Sequence, residues 1–297
     1  MKTLIISDGR IGHQSQSEAF CILKGLKYEI ILISYKSKIL KLLSYILDFA
    51  GIYIQIFNYQ KPKLKNYDLI ISAGSTTYYA NKFFAKKFKA KNISMMYPKG
   101  FRDNFTIIFS TYHNQQKDKQ SIIKLPVNIN YLKKTNYYQP KAKSIGFIIG
   151  GNNKSFTMDE SVVDLINLIK NKFKEYEFLI TTSPRTPQKV QDALLYDDFD
   201  FFVNYSQDQI NPIYDFLKHC EFVFITQDSV SMISESVSNL NASVVVIPLK
   251  KKDKYNKFDN FINTLENKNL IQIYKENIIF KKTKKLDLKE IISKVKL

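Results

Sequence analysis

Short apolar runs rich in β-branched residues alternate with helical patterns along the chain. A first series comprises Thr3–Ser7, Glu29–Ile33, Leu69–Ser72, Asn92–Met95 and Thr106–Phe109. A second comprises Ser144–Ile149, Glu177–Thr181, Asp200–Val203, Glu221–Ile225, Ser243–Ile247 and Leu270–Ile273. Near-continuous apolar strands separated by helices predict an α/β fold with parallel sheets covered on both faces. Between the two series lies Leu132–Lys143 (LKKTNYYQPKAK), polar and interrupted by Pro140, which reads as an interdomain linker. The expected organisation is a first domain over residues 1–135 and a second over 144–280. The segment 281–297 is expected to be helical, since Leu288, Ile291, Ile292 and Val295 keep helical spacing.

One stretch departs from this alternation. Lys36–Phe57 is apolar enough to resemble a membrane span, but Lys38, Lys41, Ser44 and Asp48 form a polar stripe at helical spacing. Asp48 also interrupts the roughly 20 uncharged residues that spanning requires. Two readings stand: an amphipathic helix packed on the first sheet, or a helix lying in a membrane interface. The C-terminal lysines either gather near this segment and face an anionic leaflet with it, or are merely the solvated face of a structural helix.

Composition narrows the picture. At 297 residues, 44% hydrophobic and 14% aromatic, the chain has material for two packed cores and no signature of disorder. Cys21 and Cys220 read as buried thiols of a reducing compartment, and no Cys or His spacing is that of a zinc site. The run before Asp8 is too short for a signal peptide, so the expected location is the cytoplasm, with peripheral attachment to the inner face of the cell membrane. The net charge of +18 attracts polyanions and anionic lipid. No nucleic-acid motif accompanies it, so nucleic acid is not an expected partner. Among 45 basic residues only Arg10, Arg102 and Arg185 are arginine, which points each of them towards anion recognition.

Ligands of open parallel sheets bind at the carboxyl ends of strands. There the chain places six of its nine glycines: Gly9, Gly12, Gly74, Gly100, Gly150 and Gly151. In Asp8–Gln16 (DGRIGHQSQ), His13 is either a general base for an acceptor hydroxyl or a cap of the following helix, and Asp8 is its rival as base. Arg10, Gly12, Gly74 and Ser75 are candidates on the acceptor side; the hydroxyls of Ser72–Thr77 either bind an anion or cap a helix. In the second half, Gly150, Gly151 and Lys154 can set backbone amides and a cation beside a diphosphate. Ser183 and Arg185, between Pro184 and Pro187, form an anion clamp or an ordinary turn. Asp228, Ser229 and Ser231 open a helix whose free amides either hold phosphate or are simply capped, and Glu235 either accepts from ribose hydroxyls or is a solvated charge.

Together these loops resemble the bacterial relatives of the ELM1 mitochondrial-fission family. The matching segments are Asp8–Gln16, Ser72–Gly74, Gly150–Phe156 (GGNNKSF), Thr182–Pro187 (TSPRTP) and Thr226–Ser236 (TQDSVSMISES), in that order. The sequence departs from the family at Ser75 and at Tyr97–Phe101. The resemblance implies a GT-B architecture, two Rossmann-like domains with a cleft between them. In two-domain transferases of this type the last helix crosses back to the first domain, which implies the same for 281–297. It further implies a glycosyltransferase moving a sugar from a nucleotide-sugar donor to a cell-surface glycan or lipid-linked acceptor. A more distant likeness, to the transferase that makes peptidoglycan lipid II, implies that Glu235 binds the nucleotide ribose, that Ser229 and Ser231 line the phosphate site, and that His13 is the base. No cofactor and no metal are expected, on the reading that the chain lacks an Asp-x-Asp pair. The alternative is a non-catalytic interaction protein on the same scaffold.

Overall fold

Burial along whole strands, not in–out alternation, sets the architecture. In a computed structural model, residues 1–111, 119–252 and 257–297 are described. They form two compact units: Met1–Tyr131 with Leu288–Leu297, and Leu132–Asp287.

The first unit runs β1 (Thr3–Ser7), α1 (Ile11–Lys24), β2 (Tyr28–Ser34), α2 (Lys38–Phe49), β3 (Asn58–Tyr59), β4 (Leu69–Ser72), α3 (Tyr78–Phe88), β5 (Lys91–Ser94), β6 (Ile107–Thr111) and β7 (Ile122–Leu125). Its sheet order is β3-β2-β1-β4-β5-β6-β7, parallel except at the β2–β3 edge. Every residue of β1 is buried. Ile5 enters a core with Phe20, Leu69 and Ile71, whereas Leu4 and Ile6 enter another with Ile70, Tyr79 and Phe84 on the opposite face.

The second unit runs β8 (Ser144–Ile148), β9 (Phe156–Thr157), α4 (Ser161–Lys172), β10 (Glu177–Thr181), α5 (Gln188–Leu195), β11 (Phe201–Val203), α6 (Tyr205–Asp208), α7 (Ile213–His219), β12 (Phe222–Thr226), α8 (Val230–Ser238), β13 (Ser243–Ile247), β14 (Lys250–Lys251), α9 (Lys257–Asn267) and β15 (Gln272–Ile273). The main sheet, β11-β10-β8-β12-β13-β15, is parallel; β9 and β14 form a small antiparallel pair. Strand order reverses between β1 and β4 in the first unit and between β8 and β12 in the second. These are the switch points at which loops open a ligand crevice. β3, β9 and β14, two residues each, carry no periodicity to read, and β7 was also not anticipated.

Three expectations are sharpened by the structure. Leu132–Lys143, which begins at the boundary between the units, is anchored on the second one. Thr135 Oγ and the Tyr137 N–H donate to buried Asp215 at 2.7 and 3.2 Å, the Lys141 and Ala142 amides donate to Glu177, and Tyr138 stacks on Phe201 with centroids 4.7 Å apart. Its polar residues serve hydrogen bonds on the second unit. The C-terminal helix α10 (Leu288–Ser293) does not join Lys36–Phe57. Ile292 and Val295 complete the core beside Phe20, and Lys24 Nζ caps the carbonyls of Ile292, Ser293 and Val295 at 2.7–3.1 Å. That places α10 on the α1 face of the sheet, whereas α2 covers the other.

For α2, of which two readings stand, the structure shows which residues face inward. Ser44 and Asp48 of its polar stripe face inward, Lys38 is exposed, and Ile39, Leu42, Ile46 and Phe49 face out. The Asp48 carboxylate is fully buried, bonded to Lys82 Nζ and Arg102 Nε at 2.7 Å each and to the Tyr53 hydroxyl at 3.1 Å. Ser44 is buried beside it, and Lys41 Nζ reaches Thr76 Oγ at 3.2 Å. Ile39 is 77% exposed, Leu42 65%, Ile46 60% and Phe49 74%. One anion between two cations therefore fixes the rotation of the helix, because an unpaired charge at this depth is far costlier than exposed leucine or isoleucine.

Asp48→Asn strands two buried cations and is expected to cost about 3–5 kcal/mol in urea unfolding. Ile46→Ser, on the outward face, is expected to stay within about 0.5 kcal/mol of the parent. The reverse ranking would mean that α2 buries its apolar face.

Candidate functional site

At the carboxyl end of β1 the chain turns through Gly9, at a φ of 79°, and enters α1 with Arg10 as the N-cap residue. The turn delivers His13 to the β1–β4 switch point. Its Nδ1 lies 3.2 Å from both oxygens of Asp8, whose side chain is 5% exposed against 19% for the imidazole. An ionised carboxylate only accepts, so the proton sits on Nδ1 and leaves Nε2 as the basic nitrogen. The two rivals for the role of base are thus one pair, with Asp8 orienting His13. The imidazole rests directly on Gly74, which follows β4 at a φ of 88°; a Cβ there would overlap the ring. Gly74 is glycine for both reasons.

The other acceptor-side candidates are less engaged. Arg10 is exposed with Nε 3.7 Å from Asp8, and Gly12 is exposed in the first turn of α1. Ser75 is exposed, and its carbonyl accepts from Arg102 NH1 at 3.2 Å. The Thr77 hydroxyl donates back to the carbonyls of Ala73 and Gly74 and does not cap α3. A shallow groove of about 360 Å³ borders Asp8 and Gly9, lined also by Leu32, Ser34, Tyr59 and Gln60.

The β8–β12 switch point is built on a buried carboxylate too. Asp228 accepts from the Thr226 hydroxyl at 2.7 Å, the Gly151 N–H at 3.0 Å and Arg185 NH2 at 2.8 Å. Burial, the largest influence, holds its pKa above the usual carboxylate value, and those three donors oppose the rise. Thr226 Oγ accepts in turn from the Gly150 N–H at 2.7 Å, and Thr186 Oγ donates to the Gly150 carbonyl at 2.5 Å. A Cβ on Gly150 would overlap the Asp228 carboxylate, and one on Gly151 would overlap the Arg185 carbonyl. Three loops separated in sequence are thereby locked together.

This arrangement revises several roles. Asp228 is neither helix cap nor exposed ligand; it is the internal tie. Ser229 is the N-cap of α8, accepting from the Met232 N–H. Ser183 Oγ accepts from the Arg185 N–H, so it is spent on its own turn. Ser231 is exposed in the first turn of α8, and Lys154 is exposed on the loop after β8. Thr226 and Thr186 were missed; the signal available was a hydroxyl ending a strand two residues before an aspartate. All three arginines prove to be aspartate partners: Arg10 of Asp8, Arg102 of Asp48 and Arg185 of Asp228. The 41% exposure of the Arg185 side chain keeps its guanidinium accessible to an anion, whereas Arg102 is buried and structural. An Asp-x-Asp pair does occur, at Asp198 and Asp200. Asp200 is engaged by the Phe178 N–H at 2.8 Å, at the edge of the sheet.

Glu235, one turn and a half into α8, is half-buried, not a solvated charge. Burial alone raises its pKa to about 7. Both cysteines are free and buried, and burial pushes each thiol up to about 12, so neither offers a nucleophile.

Two Rossmann-like units of this kind make up a GT-B fold. The glycotransferase of kitacinnamycin superposes with a TM-score of 0.52 at 8% identity, over 94% of this chain and 87% of that one. MurG of Acinetobacter baumannii gives 0.50 at 11% identity, over 98% and 88%. The chain belongs to the mitochondrial fission ELM1 family, whose pattern it matches over residues 11–294. It is 26% identical to an uncharacterized protein of Rickettsia prowazekii (strain Madrid E), across 94% of this chain and 92% of that protein.

Glu235 makes stability depend on pH. Between its ordinary value of 4.5 and about 7, the folded chain keeps a proton that the unfolded chain has released. Stability therefore falls as pH rises through that window, by about 3 kcal/mol in total. Glu235→Gln is expected to match the parent in thermal unfolding near pH 4 and to exceed it near pH 8. Parallel pH profiles would show that the carboxylate is solvated.

Proposed function

We propose that the protein transfers a sugar from a nucleotide-sugar donor to a cell-surface glycan or lipid-linked acceptor, at the inner face of the cell membrane. The observation that carries the reading is the Asp8–His13 pair, an oriented imidazole at a sheet switch point with its Nε2 left basic. His13 Nε2 takes the proton of an acceptor hydroxyl as that oxygen bonds to the anomeric carbon and the bond from that carbon to the diphosphate breaks. Asp8 stabilises the resulting imidazolium. The departing diphosphate carries the new negative charge. The first-turn amides of α8, with Arg185, are the groups assigned to it; the Gly150 and Gly151 amides, expected there from the sequence, are spent on Thr226 and Asp228. Glu235, desolvated by burial, is assigned to the ribose hydroxyls of the donor, which would donate to its carboxylate. Lys154, Ser229 and Ser231 are assigned to the rim of the phosphate site. Neither a cofactor nor a metal is assigned a role.

A second reading, a non-catalytic interaction protein, is favoured by one observation: the apolar face that α2 turns outward. Turnover separates the two readings.

A nucleoside diphosphate at about 100 times its Kd is expected to stabilise the fold by roughly 2.7 kcal/mol in a thermal-shift assay. Glu235→Ala should abolish the advantage of the nucleotide over inorganic diphosphate. His13→Ala should lower turnover by about 10²–10⁴ with nucleotide binding unchanged, and Asp8→Asn should lower it too, by freeing the ring. An active His13→Ala protein would remove the imidazole from the chemistry. Nucleotide binding without turnover on any glycan acceptor would favour the interaction protein.

A further inference from the structure

The outward face of α2 calls for a partner that the transfer chemistry does not provide. Ile39, Leu42, Ile46 and Phe49 line one side of the helix and are all more than half exposed. Phe101 extends the strip, its ring packed edge-on against Phe49 at 5.1 Å and itself half exposed. The helix cannot rotate to hide these residues, because Asp48 is held from beneath by Lys82 and Arg102. The C-terminal helix does not cover them, since it packs against α1 on the opposite face of the sheet.

Charge selects the partner. From Ile30 to Tyr67 the chain contains six lysines and one acid, and that acid is the buried Asp48. Lys36 and Lys38 stand exposed at the start of the helix, and Lys99 stands exposed beside Phe101. An apolar strip one helix wide, rimmed by lysines whose stems can lie along it while their ammonium groups stay in water, matches the boundary between acyl chains and anionic headgroups. A second copy of this chain fits poorly, because it would press two +18 molecules together through lysine-rich faces.

We propose that α2 with Phe101 is a membrane-docking surface. The helix lies in the plane of an anionic phospholipid bilayer, with Ile39, Leu42, Ile46 and Phe49 inserted below the headgroups and Lys36, Lys38 and Lys99 against them. This deepens the lipid-linked-acceptor reading by naming the surface that would bring the protein to such an acceptor. Vesicle binding is measured without donor or turnover, so either idea can fail while the other stands.

The test is co-sedimentation of the full chain with vesicles of phosphatidylcholine alone and of phosphatidylcholine mixed with phosphatidylglycerol, at low and high salt. The parent protein is expected to bind the anionic vesicles at least about tenfold more strongly than the neutral ones, with salt weakening the difference. Leu42→Ser with Phe49→Ser should reduce partitioning by about tenfold or more at unchanged Tm. Ile39→Gln with Ile46→Gln reads the same quantity on the same face should the first pair fail to fold. Equal binding by parent and variants would overturn the proposal. So would absence of binding to anionic vesicles, or a dimer that the variants convert to monomer.

Discussion

At each switch point, a side chain from one loop occupies the space that a glycine leaves in its neighbour. His13 lies on Gly74 in the first unit, and Asp228 lies against Gly150 in the second. The constraint is steric before it is chemical, because a Cβ at either glycine would push these groups apart. It is reinforced by a carboxylate in each case: Asp8 orients the imidazole, and Asp228 gathers Gly151, Thr226 and Arg185. Rigid loops at the ends of buried parallel strands are then available for binding without being ordered first. The energy of the site resides in these ties, and its chemistry in what they leave free: His13 Nε2, the exposed side of Arg185 and Glu235.

A third aspartate organises a different surface by the same principle. Asp48 sits between two cations under α2, and that internal neutralisation decides which face of the helix meets the exterior. Moving a charge pair inward normally gives little net stability. Its consequence here is specificity of orientation, which leaves a contiguous apolar strip on a strongly basic first unit. The arginines illustrate the division of labour. Arg102 is consumed by structure, Arg185 is shared between structure and access, and Arg10 remains exposed.

Much of the sheet architecture was legible because strands such as Thr3–Ser7 and Ser243–Ile247 are buried from end to end and need a covering layer on each face. The short strands β3, β9 and β14 were not, because two residues carry no period. The orientation of α2 was left open between two readings for a physical reason. A hydrophobic stripe is assumed to face the core, and only the tertiary pairing of Asp48 with Lys82 and Arg102, 34 and 54 residues away, reverses that assumption. Within the candidate sites, Asp8 and His13 could be named from the loop, but not their mutual geometry. The tying role of Asp228 was hidden because an aspartate ahead of a serine at a helix start reads as a cap. The burial of Glu235 depends on what packs around α8, which a single sequence does not disclose.

We propose that the second unit presents a preformed seat for a nucleoside diphosphate at the β12–α8 turn. Amide hydrogen exchange, followed with nucleoside diphosphates and with the corresponding nucleosides, measures this directly. Slowed exchange at residues 150–152 and 226–236 is expected on adding the diphosphate, with a much weaker effect from the nucleoside alone. Unchanged exchange in both segments, or protection of the same size from a nucleoside lacking phosphate, would contradict it.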